Sequence, residues 1–193
     1  MTRQPGLPAY SAPSDFPPRV WQAVKRTRSA GFELACIPEV GRMLQLFAGL
    51  AGVARCCELG TAYGVGAAWI ESGLRPGAVL VTIELDPGRA GSARSMFADN
   101  PAVEVIQGDW SLALDRGPFD LVFSDGGPKR RAGDPEKLAP LVRAGGLLVL
   151  DDFSPGRDIA SDESRRIWLE SGLYRAVEVG VSAEASVILA VRR

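Results

Sequence analysis

Five short apolar runs in this chain each lead into an acid or a glycine at their carboxyl end. The runs are Ala54–Leu59, Ala78–Leu85, Val103–Gln107, Phe119–Ser124 and Leu147–Leu150. Each is too short for a core helix, and those rich in Val, Ile and Leu read as strands buried on both faces. Between them lie stretches with helical spacing: Ala67–Ser72, Arg89–Ala98 and Pro135–Val142, with a short helix at Leu112–Leu114. Two further helices, Arg19–Ser29 and Glu39–Leu50, precede the alternation, and Asp162–Ser171 follows it. The second has Val40, Met43, Leu44 and Phe47 on one side and Pro38 at its first turn.

Strands alternating with helices require right-handed crossovers and a parallel sheet covered on both faces. Two last runs, Tyr174–Val181 and Ala185–Val191, are joined by a short turn and form an antiparallel hairpin at or near one edge. The expected fold is therefore α/β. It is a doubly wound, Rossmann-like, mostly parallel sheet of seven strands with a C-terminal antiparallel hairpin and helices on both faces. Residues 1–18 hold five prolines and few large apolar side chains, which predicts an extended N-terminal arm. Residues 19–193 are one domain.

In such a sheet the ligand lies beyond the carboxyl ends of the strands. After the first strand the chain reads Glu58-Leu59-Gly60-Thr61-Ala62-Tyr63-Gly64-Val65-Gly66. Gly60 and Gly64 let the backbone approach a ligand closely. A dinucleotide site would need G-x-G-x-x-G, with a pyrophosphate on the helix N-terminus. Here that spacing is missing, and Glu58, two residues ahead of Gly60, would repel a pyrophosphate and suits an ammonium group. A nicotinamide dehydrogenase is therefore disfavoured. Glu84, at the next strand end, can accept both hydroxyls of a ribose. Asp109, after the third strand, can accept from an exocyclic amine, with Trp110 as the aromatic neighbour of an adenine.

The absence of histidine removes the commonest general base and metal ligand, and with it Ser-His-Asp and Cys-His mechanisms. Net charge is −1, so no basic footprint points to nucleic acid. No apolar run reaches membrane-spanning length, and the N-terminus has no signal-peptide core. Cys36, Cys56 and Cys57 have no metal-ligand spacing and read as core residues of a reducing, cytoplasmic compartment.

The segments "ELGTAYGVG", "VTIELDP", "VIQGDW", "FDLVFSDGG" and "LVRAGGLLVLDDF", led by "IPEVGRML", together resemble class I S-adenosylmethionine-dependent methyltransferases. The similarity is to the catechol and caffeoyl-CoA O-methyltransferase-like group, over roughly residues 37–193. It implies a methyltransferase domain using S-adenosylmethionine on a small-molecule acceptor, with a homodimer common among relatives. It implies that Gly60, Thr61, Ala62 and Gly64 line the methionine half of the cofactor, that Glu84 holds the ribose, and that Leu85 flanks the adenine. Asp109 and Trp110 would hold the base, and Asp125 would lie beside the transferred methyl. Gly66 stands where the group often has a serine reaching the cofactor carboxylate.

Asp125, Asp151 and Asp152 close two strands expected to be neighbours. Three hard oxygen ligands suit Mg²⁺ or Ca²⁺; the bland alternative is that Asp151 and Asp152 cap the next loop. The resemblance implies a Mg²⁺ held by Asp, Asp and Asn, with Asp152 replacing the Asn, and a lysine three residues after the first Asp as catalytic base. Here that position is Pro128, and Lys129 follows. Lys129 is either turned inward as the base or the first member of a solvated triplet with Arg130 and Arg131, and the solvated reading is favoured. Metal-free N- or C-methylation and a cofactor-binding protein without turnover are the alternatives to O-methylation. Phe153, Tyr10 and Trp21 are candidate walls for the acceptor.

Overall fold

The computed structural model describes residues 6–11 and 15–193. Strands β1 (Arg55–Leu59), β2 (Val79–Glu84), β3 (Val103–Gln107), β4 (Phe119–Ser124), β5 (Val142–Phe153), β6 (Tyr174–Gly180) and β7 (Ser186–Arg192) form one sheet in the order β3-β2-β1-β4-β5-β7-β6. The first five are parallel. β7 runs antiparallel to both β5 and β6, so the expected hairpin sits at one edge.

Successive strand residues face opposite sides. Cys56, Leu80, Leu121 and Val149 join one core with α1 (Pro18–Ser29), α2 (Pro38–Ala48), α3 (Val65–Gly73) and α4 (Pro87–Met96). Cys57, Val81, Val122 and Leu148 join the other, with α5 (Asp134–Leu138) and α6 (Glu163–Leu169). Both faces are covered, which is why the strands read as continuous apolar runs rather than alternating ones. All three cysteines are buried free thiols.

The chain leaves β1 toward β2 and β3 on one side and returns at β4 on the other, so the switch in strand order lies between β1 and β4. The glycine loop, Asp125 and Asp151 all follow or close strands at that end. The helix expected over Pro135–Val142 stops at Leu138 and tightens into a 3₁₀ turn, Ala139–Leu141. Pro140 has no N–H to give the carbonyl four residues back. β5 accordingly starts at Val142, earlier than expected, and runs on through Asp151 and Asp152.

Part of the expected arm lies in the core. Leu7–Tyr10 is a 3₁₀ turn with Leu7 and Tyr10 buried. The Tyr10 hydroxyl donates to the Cys36 carbonyl and accepts from Trp69 Nε1, both at 2.9 Å. Phe16 packs its ring against both Tyr10 and Trp69. Residues 1–5 and 12–14 of the arm lie outside the described residues. No helix among the described residues is long and apolar enough to cross a membrane.

Candidate active site

Gly60 opens the loop after β1 with φ +102, and a Cβ there would lie 2.5 Å from the backbone N of Gly126. Only glycine permits both the left-handed turn and that approach. The loop is pinned from below. Gly60 N and Thr61 N donate to the Ile83 carbonyl at 2.9 and 3.1 Å, and Thr61 Oγ1 meets Thr82 Oγ1 at 2.5 Å. Thr82 Oγ1 in turn donates to Glu58 Oε2 at 2.5 Å. Thr61 thus spends its hydroxyl holding the loop.

Glu58 is 1% exposed. Burial pushes its carboxyl up to about 8, against the lowering effect of the Thr82 hydrogen bond, and Asp125 and Glu84 add to the rise. Its Oε1 lies 2.2 Å from where a Cβ on Gly66 would be. The serine common at that place in similar enzymes does not fit above this carboxyl without a shift.

Glu84 closes β2. Its Oε2 accepts the Ala62 N–H at 2.7 Å. Its Oε1 accepts from Asp86 N, and from Arg89 Nε and Nη2 at 3.0 and 2.7 Å. Asp109 is exposed, and its carboxylate caps Ser111 N at 3.0 Å, which holds its pKa below the ordinary value. Leu85 is 67% exposed on the rim.

Three hollows meet at this sheet end. A cleft of about 160 Å³ is lined by Gly60, Ala62, Glu84, Leu85, Asp109 and Trp110, and closed by Phe32 and Arg89. A small pocket beneath the loop is bounded by Cys36, Glu58, Thr61, Gly66 and Asp125. Asp125 is common to both. The third, about 310 Å³, is walled by Asp151, Asp152, Phe153, Arg130, Arg157 and Arg165, and shares Ala35 and Cys36 with the small pocket. Gly64 borders none of them; its φ of +93 serves the start of α3, beside Met96 and Phe97. Phe153 walls the third hollow as expected. Tyr10 sits in the core, and Trp21 packs against Phe16 and Arg28, so neither lines these three hollows.

The loop from Gly31 to Ile37 supplies Phe32, Leu34, Ala35 and Cys36 to these hollows and was not expected there. Phe32 was its one legible signal, an aromatic in an otherwise unpatterned connection. Arg89, Arg130, Arg157 and Arg165 were missed as well. Arg165 is 2% exposed and gripped by Asp162, Glu178 and the Ser154 carbonyl.

Asp125, Asp151 and Asp152 do come together, each with a carboxylate oxygen within 4.8 Å of the others. Asp151 is 5% exposed, and burial, Asp125 and Asp152 push it up to about 7 against the pull of Lys129. The donor set suits a hard divalent cation, but its surroundings do not. Lys129 is 3% exposed, not solvated, and its Nζ lies 2.7 Å from Asp152 Oδ2 and 3.8 Å from Asp125 Oδ1. That corrects the favoured sequence reading of a solvated triplet. The one-residue displacement past Pro128 carries the lysine into the acid cluster rather than out to water.

The Methyltransferase domain family matches residues 57–153. The chain belongs to this family. A putative O-methyltransferase of Mycobacterium bovis is 35% identical over 123 residues, 60% of this chain and 55% of that protein. A catechol O-methyltransferase of Mycobacterium tuberculosis is 32% identical over 137 residues, 67% of this chain and 61% of that protein. The chain thus matches little more than half the length of these curated relatives. Among solved structures, cofactor-bound Rv0187 from MTB is 25% identical with TM-score 0.77, covering 100% of this chain and 99% of that one. The O-methyltransferase TomG from Streptomyces achromogenes, in complex with SAM, is 23% identical with TM-score 0.74, covering 97% and 96%. The doubly wound, Rossmann-like fold expected from the strand pattern is the one these structures share.

Proposed function

We propose that this chain transfers the methyl group of S-adenosylmethionine to an oxygen of a small acceptor. The observation that carries the reading is the three adjoining hollows, two of them sharing Asp125, at the switch in strand order. The cleft beside Glu84, Leu85, Asp109 and Trp110 suits an adenosine. The pocket over Glu58 suits the ammonium of the methionine half, whose positive charge would draw the proton off that carboxyl on binding. The 310 Å³ hollow is of a size for a small organic acceptor. The mycobacterial relatives named O-methyltransferases support oxygen over nitrogen or carbon as the acceptor atom.

In the transfer an acceptor oxygen lone pair forms the new O–C bond as the C–S bond breaks. S-adenosylhomocysteine leaves, and the acceptor proton passes to a carboxylate or water. Such a displacement depends on alignment more than on acid-base power. Glu84 is fixed for its task by four N–H donors, from Ala62, Asp86 and Arg89, and Oε2 keeps capacity for ribose hydroxyls. Asp109 stays ionised as an acceptor for an amine, and Trp110 offers a stacking face. Asp151 and Asp152 border the acceptor hollow. Because Lys129 already holds Asp152, the Mg²⁺ implied by the resemblance is left out of the mechanism, as is Lys129 as a free base. A cytoplasmic location and a homodimer belong to the same proposal, resting on the reduced cysteines and on the resemblance. No nucleic-acid or membrane partner enters it.

A calorimetric titration with S-adenosylhomocysteine tests the reading. Saturable binding in the micromolar range is expected, and no heat at about 1 mM ligand overturns it.

A further inference from the structure

We propose that the Lys129 ammonium is a built-in counter-ion that takes the place of a divalent metal in the acid cluster, so that the site works without one. The inference rests on the methyltransferase reading above only for what the cluster borders, and its geometry stands apart from that reading.

The turn Gly126-Gly127-Pro128 delivers Lys129 from the end of β4 back toward the end of β5. Its Nζ donates to the Asp125 carbonyl at 2.5 Å and to Asp152 Oδ2 at 2.7 Å. The lysine backbone is fixed as well, since buried Trp168 Nε1 donates to its carbonyl at 2.9 Å. The next residue grips the same aspartate from another side, with Arg130 Nη2 donating to the Asp152 carbonyl at 2.6 Å. Both side chains of the Lys129–Asp152 pair are 3% exposed. Such a pair, once desolvated, is held by the loss each charge would suffer alone.

A divalent cation on Asp125, Asp151 and Asp152 would have to enter beside this ammonium. Like charges a few ångströms apart in a buried site repel strongly. Lys129 would then have to give up the Asp125 carbonyl and Asp152 Oδ2. Asp152 Oδ1 has no hydrogen-bond partner among the described residues. It belongs to the carboxylate whose other oxygen is already paired with Lys129. Asp152 itself sits in the left-handed region at φ +73, a strained place for an aspartate. Paired with Lys129, its negative charge, where the resemblance implies Asn, has its complement in the same chain.

The test is Mn²⁺ binding followed by electron paramagnetic resonance on the intact protein, with and without S-adenosylhomocysteine. Up to about 1 mM Mn²⁺, the wild-type protein should leave the free-ion signal undiminished, and its melting point should shift by less than about 1 °C. Lys129→Ala should melt lower, on the order of 10 °C. It should also gain saturable Mn²⁺ binding and be stabilised by Mg²⁺. Should the alanine variant not fold, Lys129→Gln serves instead: it keeps the side-chain length without the charge and should likewise gain saturable Mn²⁺ binding, whereas a folded Lys129 variant that binds none overturns the proposal. Saturable Mn²⁺ binding by the wild type at micromolar concentration, with or without ligand, overturns the proposal. S-adenosylhomocysteine heats from the same samples report separately on the methyltransferase reading, so either can fail alone.

Discussion

Replacing Glu58 by Gln should make the protein more stable at neutral pH, and by an amount that depends on pH. In the folded protein the Glu58 carboxyl titrates at about 8, against 4.5 when unperturbed. Below pH 4.5 both states hold the proton and nothing is gained or lost. Between the two values the folded state keeps a proton that the unfolded chain has released, so stability falls as pH rises. Above about 8 the loss is complete and constant. At pH 7 the loss spans 2.5 pH units at about 1.4 kcal/mol each, or about 3 kcal/mol. Glutamine keeps the shape, accepts the Ala67 N–H that Glu58 accepts now, and can donate to Thr82 Oγ1. It has no proton to lose. In a chain of this length a kilocalorie moves the melting point by roughly 2–4 °C. Glu58→Gln should therefore melt roughly 6–12 °C above wild type at pH 7 and within a few degrees of it at pH 5. Differential scanning calorimetry from pH 5 to 8 reads this directly. A gap between the two proteins that stays constant across that range would refute the reasoning. It would mean that Glu58 is ionised in the folded state despite its burial. The same substitution removes the proposed partner of the ligand's ammonium, so S-adenosylhomocysteine should bind roughly ten-fold more weakly or worse.

Gly66→Ser, which restores the residue common in similar enzymes, should destabilise by roughly 1–3 kcal/mol in urea unfolding, because its Cβ would fall on Glu58 Oε1. Glu84→Gln should weaken S-adenosylhomocysteine binding by roughly 10–100-fold in calorimetry, since it replaces an acceptor of ribose hydroxyls and unpairs Arg89. Tyr10→Phe should lower stability by about 1–3 kcal/mol in thermal melts, leaving Trp69 Nε1 and the Cys36 carbonyl without the hydroxyl they share.

The strand order and the ligand end were legible because they follow from local pattern. An apolar run bounded by turn residues must be a buried strand, and alternation with helices leaves few parallel arrangements. Acids and glycines beyond those runs then fall at one end of the sheet wherever the helices pack. The same logic brought Asp125 and Asp151 together, since β4 and β5 had to be neighbours. What local pattern does not carry is the direction of a side chain leaving an irregular turn, or contact between segments far apart in the chain. Tyr10 meets Trp69 across 59 residues, and nothing in a proline-rich stretch marks its tyrosine as core. Gly66 looked like a lost hydrogen bond to the ligand. The structure adds that the Glu58 carboxyl fills the space a Cβ there would take. Lys129 was misread for the same kind of reason. A basic triplet after Gly-Gly-Pro reads as solvated, because each charge is counted by itself. Two carboxylates facing that turn from β5 supply the partners that a count of isolated charges leaves out, and Lys129 pairs with Asp152 in the buried cluster. The acid that seemed surplus and the lysine that seemed displaced are one pair, visible only once both strand ends are in place.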